Sequence, residues 1–155
     1  MERTPPHLKN TCRPHSAAGS AVRLLFSETV PSNASAVEPL ISRLFHRLGT
    51  TTAIGRHREA LEIALREALA NAILHGNGCH PQKSVTVQCY LEGADELLLV
   101  VADEGCGFDP GCVADPTRPE RILREGGRGI YLIRHFMDEV EFAHGGCEIR
   151  MRKRL

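Results

Sequence analysis

Residues 57–75 read HREALEIALREALANAILH, and the fold turns on this stretch. Leu61, Leu65, Leu69 and Ile73 recur every four residues, with Ala64, Ala68 and Ala72 beside them. Residues three and four apart share a helix face, so the spacing predicts an amphipathic helix with a broad apolar stripe. Gly76 is its expected stop. Glu67, Asn71 and His75 also fall four apart, on a face beside the stripe. An acid and an amide at a core boundary need partners, because burying a polar group without a hydrogen bond is costly. The plain reading is a solvated helix face. The chemical reading is an oxygen ligand for a hard cation at Asn71 and a proton acceptor at Glu67.

Upstream, Arg23 to Val30 reads as a strand. Asn33 or Ser35 can cap a helix running to about Leu48, with Gly49 as its end. Downstream, Ser84 to Leu91 alternates, with Val85, Val87, Cys89 and Leu91 facing one way. Gly93-Ala94-Asp95 makes a turn into the apolar strand Leu97 to Asp103. A long loop, Glu104 to Gly127, precedes a helix marked by Ile130, Leu132, Ile133 and Phe136. Strands Glu139 to Ala143 and Cys147 to about Arg152 close the chain, joined at Gly145-Gly146. Helices and strands do not alternate regularly, which argues against a doubly wound parallel sheet. The expected fold is an α/β two-layer sandwich, a mixed, mostly antiparallel sheet with helices on one face.

The chain has 155 residues, enough for one domain with its own core. Residues 1–20 are polar, with Pro5, Pro6 and Pro14, and are expected to form a mobile leader to a domain over 21–155. Lys plus Arg and Asp plus Glu are 19 each, a net charge of zero that disfavours bulk binding to nucleic acid or anionic membrane. No apolar run approaches the ~20 residues of a membrane span, and the N-terminus lacks the apolar region of a secretory signal. A cytoplasmic protein is expected. The six cysteines form no CxxC pair, so zinc-ribbon spacing is absent and reduced structural thiols are the simplest reading.

Two further clusters carry chemistry. Asp103-Glu-Gly105-Cys-Gly107-Phe-Asp109-Pro begins where an apolar strand ends. An acid there can accept a hydrogen bond from a ligand's amino group, and Gly105 and Gly107 let backbone pass close to that ligand. A glycine turn after a strand is the plain alternative. Gly126-Gly127-Arg128-Gly129 opens a helix, where free backbone N–H groups attract anions, phosphate above all. The plain alternative is a linker or helix cap. No Gly-Lys-Ser/Thr follows and no strand leads directly in, so neither a Walker A loop nor a Rossmann fingerprint fits.

The ordered set of helix acid and Asn, strand-DxGxG, long loop and GGRG-helix resembles the GHKL (Bergerat-fold) ATP-binding family. The resemblance covers about residues 21–153. The stretches EALANAILHGN, DEGCGFDP and GRGIYLIRHFMDEVEF are most similar to the bacterial anti-sigma-factor serine/threonine kinases. The resemblance implies the Bergerat ATP-binding fold, with ATP and Mg²⁺ as cofactors. It implies Asn71 as the Mg²⁺ ligand, Glu67 as general base and Asp103 as acceptor of the adenine amino group. Gly105 and Gly107 would form the adenine pocket. Gly127, Arg128 and Gly129 would pack on the phosphates. The loop from about Pro110 to Glu125 corresponds to a lid, in which Arg118, Arg121 and Arg124 can reach phosphate or stay solvated.

The function so implied is a Mg-ATP-dependent kinase acting on Ser or Thr of a STAS-like anti-sigma antagonist, while sequestering a sigma factor. No direct nucleic-acid or membrane partner is implied; a homodimer is possible in this family. A non-catalytic ATP-binding switch module is the first alternative, and a detached histidine-kinase-like catalytic domain the second. ATP hydrolysis driving a larger machine is a third. Glu67 favours the serine/threonine kinase, since transfer to a hydroxyl needs a base. Arg150, Arg152 and Arg154 share one side of a strand and read as a charged sheet edge or an acidic-partner surface. Cys106 and Cys112 can make nucleotide binding redox-sensitive.

Overall fold

The computed structural model describes residues 21–49, 52–107 and 128–155. Within these the chain runs β1 (Val22–Pro31), α1 (Val37–Leu48), α2 (Thr52–Asn71), β2 (Ser84–Glu92), β3 (Glu96–Asp103), α3 (Arg128–Phe136), β4 (Glu139–Ala143) and β5 (Glu148–Arg154). The five strands form one sheet in the order β1-β2-β3-β5-β4. Every one of its pairings is antiparallel, so the expected sandwich holds and its sheet is more uniform than expected.

Asn33 stands where a cap was expected. Its Oδ1 accepts the Ala36 N–H at 3.0 Å and caps a short 3₁₀ turn, Ala34–Ala36, that feeds α1. Gly49 ends α1 at φ 73°, its N–H donating to Phe45 O at 3.2 Å. The helix α2 begins five residues before His57, at Thr52. Its Leu61, Leu65 and Leu69 are buried against the inward residues Val85, Val87 and Cys89 of β2 and Leu97, Leu99 and Val101 of β3 in one core. Each fully buried leucine contributes roughly 1.5–3 kcal/mol. Leu40, Ile41, Leu44 and Phe45 of α1 join the same core, so packing within one chain accounts for them.

The second face of β3 is also buried. Leu98 and Val100 are each 2% exposed, although among the described residues no helix joins them in the core cluster. Their neighbours across the ladder are Tyr90 and Arg152, and Gln88 and Arg150, whose long side chains shield them. Here the charged-edge reading of Arg150, Arg152 and Arg154 is corrected. The strand β5 lies between β3 and β4, and the edges are β1 and β4. Arg152 is buried among carboxylates: Nε lies 3.0 Å from Glu92 and 3.8 Å from Glu96, and Nη1 3.1 Å from Glu139 and 3.3 Å from Glu141.

The β2–β3 turn gathers both ends of the described chain. The Gly93 N–H donates to Ala21 O at 2.9 Å, and the Leu155 N–H donates to Asp95 O at 2.7 Å. Among the described residues no helix is long and apolar enough to cross a membrane.

Candidate functional site

The last turns of α2 carry Glu67 and Asn71, one turn apart and both half-buried. The first turn of α3 packs on them. A Cβ placed on Gly129 would lie 2.9 Å from Glu67 Oε2 and 3.4 Å from the Asn71 amide. The first turn of α3 therefore approaches a carboxylate and an amide closely. Arg128, exposed, is the first residue of that helix. Gly127, and with it Arg118, Arg121, Arg124 and Cys112, lies outside the described residues.

Beyond Asn71 the helix widens. Residues Ala72–Gly76 form a π turn, closed by the Asn77 N–H donating to Ala72 O at 2.7 Å. The helix expected to run on to His75 is thus α-helical only to Asn71. The turn lays Gly76 against the Asp103 carboxylate, where a Cβ would clash. Gly105 lies as close to the Gly76 carbonyl, and Gly107, at φ 77°, to the Gly145 carbonyl. Two of these glycines are the pair singled out from sequence, and here each is needed for a close backbone approach.

Asp103 ends β3. Its N–H donates to Cys147 O at 2.9 Å, and its Oδ1 accepts the Gly105 N–H at 2.8 Å. Burial raises its pKa above the ordinary carboxylate value, against the lowering effects of the Gly105 N–H and the Lys83 charge. A carboxylate so confined has one oxygen held by backbone and can offer the other to a donor.

Asn71 and Asp103 line one cavity of about 230 Å³, with His75, Gly76, Ile130 and Cys147 among its other walls. Most of the lining is apolar, from Val101, Phe142 and Ile149 among others, which suits a flat heterocycle. Small-molecule pockets start at about 300 Å³. The described cavity is sized for the base end of a nucleotide, and Asn71 both lines it and meets Gly129. Glu67 lies outside this lining, one turn back on α2, where it meets Gly129. Among the described residues no group of three His, Cys, Asp or Glu could hold a metal ion.

One residue behind the site, the last of the stretch EALANAILHGN, was not singled out from sequence. Asn77 is 3% exposed. Its Nδ2 donates to Ser32 Oγ at 3.1 Å and to Ser84 O at 2.8 Å, and its Oδ1 accepts the Glu104 N–H at 2.9 Å. Glu104 in turn accepts the Ser84 N–H at 2.6 Å and the Ser84 hydroxyl at 2.9 Å. Standing between Gly76 and Gly78, Asn77 looks in sequence like an ordinary turn residue.

Comparison with known proteins gives the family. The model of the histidine kinase-like ATPase domain family matches residues 30–153. The anti-sigma F factor of Oceanobacillus iheyensis is 32% identical over 102 residues, 61% of this chain and 68% of that protein. The serine-protein kinase RsbW of Bacillus pumilus is 35% identical over 105 residues, 63% of this chain and 65% of that protein. The chain thus spans just under two thirds of the Bacillus relative's length. The serine-protein kinase RsbW of Staphylococcus aureus (strain Newman) is 33% identical over 135 residues, 80% of this chain and 82% of that protein.

Proposed function

We propose that this chain, which belongs to the histidine kinase-like ATPase domain family, is a Mg-ATP-dependent protein serine/threonine kinase of the anti-sigma-factor type. The observation that carries the proposal is the one cavity lined by both Asn71 and Asp103, beside which Gly129 packs on Glu67 and Asn71. In this reading Asp103 accepts the adenine amino group, and Gly105 and Gly107 let backbone run along the base. Asn71 supplies a protein oxygen to Mg²⁺. The start of α3, with Arg128 and Gly129, and Gly127 just before it in sequence, offers N–H groups and positive charge to the phosphates.

ATP brings the phosphoryl group, and Mg²⁺ neutralises its charge. Glu67 takes the proton of the partner's Ser or Thr hydroxyl as that oxygen bonds to the γ-phosphorus and the bond to the departing ADP oxygen breaks. The name of the Oceanobacillus relative, an anti-sigma F factor, supports a sigma factor as one partner; in this reading a STAS-like antagonist is the phosphoryl acceptor, the sigma factor is held in a competing complex, and both meet the chain in the cytoplasm. A homodimer is compatible with this reading.

The test is incubation of the purified chain with Mg-ATP and candidate partners. Hydroxyl-linked phosphate should appear on one of them, and Glu67→Gln should slow its formation by about 10²–10⁴-fold while leaving ATP bound. Undiminished partner regulation by the Glu67→Gln chain would instead identify a nucleotide-operated binding switch.

A further inference from the structure

We propose that Asn77 is a positioning residue for base selection, acting through Asp103; this rests on the reading of Asp103 as the adenine acceptor. The argument begins with where its bonds go. Asn77 is buried; its carbonyl accepts the His80 N–H in the turn that follows, and its N–H and side chain bond to Ala72 O, Ser32 Oγ, Ser84 O and the Glu104 N–H. The last four bear on the site. Two of them control the acid directly. Glu104 is the residue after Asp103, so the 2.9 Å bond from its N–H to Asn77 Oδ1 fixes the backbone on which the carboxylate stands. Ala72 O opens the π turn whose last residue, Gly76, presses on that carboxylate. The other two anchor the same amide to the end of β1 and the start of β2.

Asn77 therefore sets both the strand end that carries Asp103 and the glycine that limits its rotation. Its backbone N–H closes the turn at Gly76 while its side chain holds the strand end, and a side chain that only tied down a surface loop would not reach the residue after Asp103. A primary amide suits the task because its two donors and its carbonyl oxygen are used at once. Aspartate would put an acceptor against the Ser84 carbonyl. Alanine would leave the Glu104 N–H and Ser84 O without their partner. In either case Asp103 could shift by a fraction of an ångström, enough to spoil a hydrogen bond to a bound base.

The test compares binding of ATP with that of inosine triphosphate, in which an oxygen acceptor replaces the amino group, to the whole chain with Mg²⁺. The wild type should prefer ATP. Asn77→Ala should weaken ATP by about tenfold or more while changing inosine triphosphate by less than about threefold, so that the preference collapses. General loosening of the fold would weaken both nucleotides alike and leave the ratio standing. A folded Asn77→Ala chain with the wild-type ratio overturns the proposal. Should that variant fail to fold, Asn77→Ser keeps one hydroxyl for the Glu104 N–H and is held to the same ratio. A wild type with no preference for ATP overturns the adenine reading of Asp103, and the role of Asn77 with it.

Discussion

Asp103, proposed above as the adenine acceptor, is held at some cost to the fold. Its carboxyl titrates above its usual range because burial disfavours the charge. The folded chain thus holds that proton more tightly than the unfolded chain does. The resulting stabilisation is present at pH below the ordinary value of 3.8 and is lost as pH rises through the raised value. At neutral pH the ionised carboxylate therefore weakens the nucleotide-free fold. Asp103→Asn should raise the melting temperature of the free chain at pH 7, and the difference from wild type should vanish in strong acid. The same variant should bind ATP about tenfold or more weakly, since it replaces a charged acceptor. Calorimetry across pH, paired with ATP titration, checks both halves.

The junction of α2 with α3 has the same character at the scale of elements. Gly129 lies in a helix, where alanine is favoured by about 0.8–1 kcal/mol. A Cβ there would nonetheless stand 2.9 Å from Glu67 Oε2. Gly129→Ala should leave stability unchanged or slightly higher while lowering kcat/KM for ATP by at least about tenfold, because the acid and amide must move. Thermal melts and steady-state kinetics on one preparation separate the effects. Much of this junction was legible beforehand. The leucine stripe placed Glu67 and Asn71 on one helix, and three glycines marked the start of the next. The early start at Thr52 was not, because Gly55 disfavours a helix on its own while burial of Ile54 outweighs it. The π turn was illegible as well. Ile73 continues the four-residue spacing and is buried, so the apolar pattern gives no sign that the backbone has changed pitch.

Across the whole molecule, the order and types of the described elements were readable from periodicity and turn residues, but strand adjacency was not. The strand β5 is last in sequence and sits inside the sheet, since the β4–β5 hairpin enters beside β3. That placement turns Arg152 from an edge charge into the hub of Glu92, Glu96, Glu139 and Glu141. Its side chain is only 8% exposed, so removing it would strand several carboxylates together. Arg152→Ala should cost about 3 kcal/mol in chemical denaturation. The glutamates lie on the sheet face away from the helices, so folded variant protein should bind ATP as the wild type does. A further Glu92→Gln change should recover part of the loss. The Asp103–Asn77 network was the other hidden feature, since its bonds join residues as far apart in sequence as Ser32 and Asn77.

The anchoring of Ala21 and Leu155 on either side of the β2–β3 turn has a practical consequence. That turn stands at the start of β3, while Asp103 stands at its end, roughly 23 Å away at ~3.3 Å per residue. A fluorophore, surface tether or fusion module attached at Ala21 or Leu155 would hang from the opposite pole, leaving the mouth of the pocket clear for optical or immobilised assays.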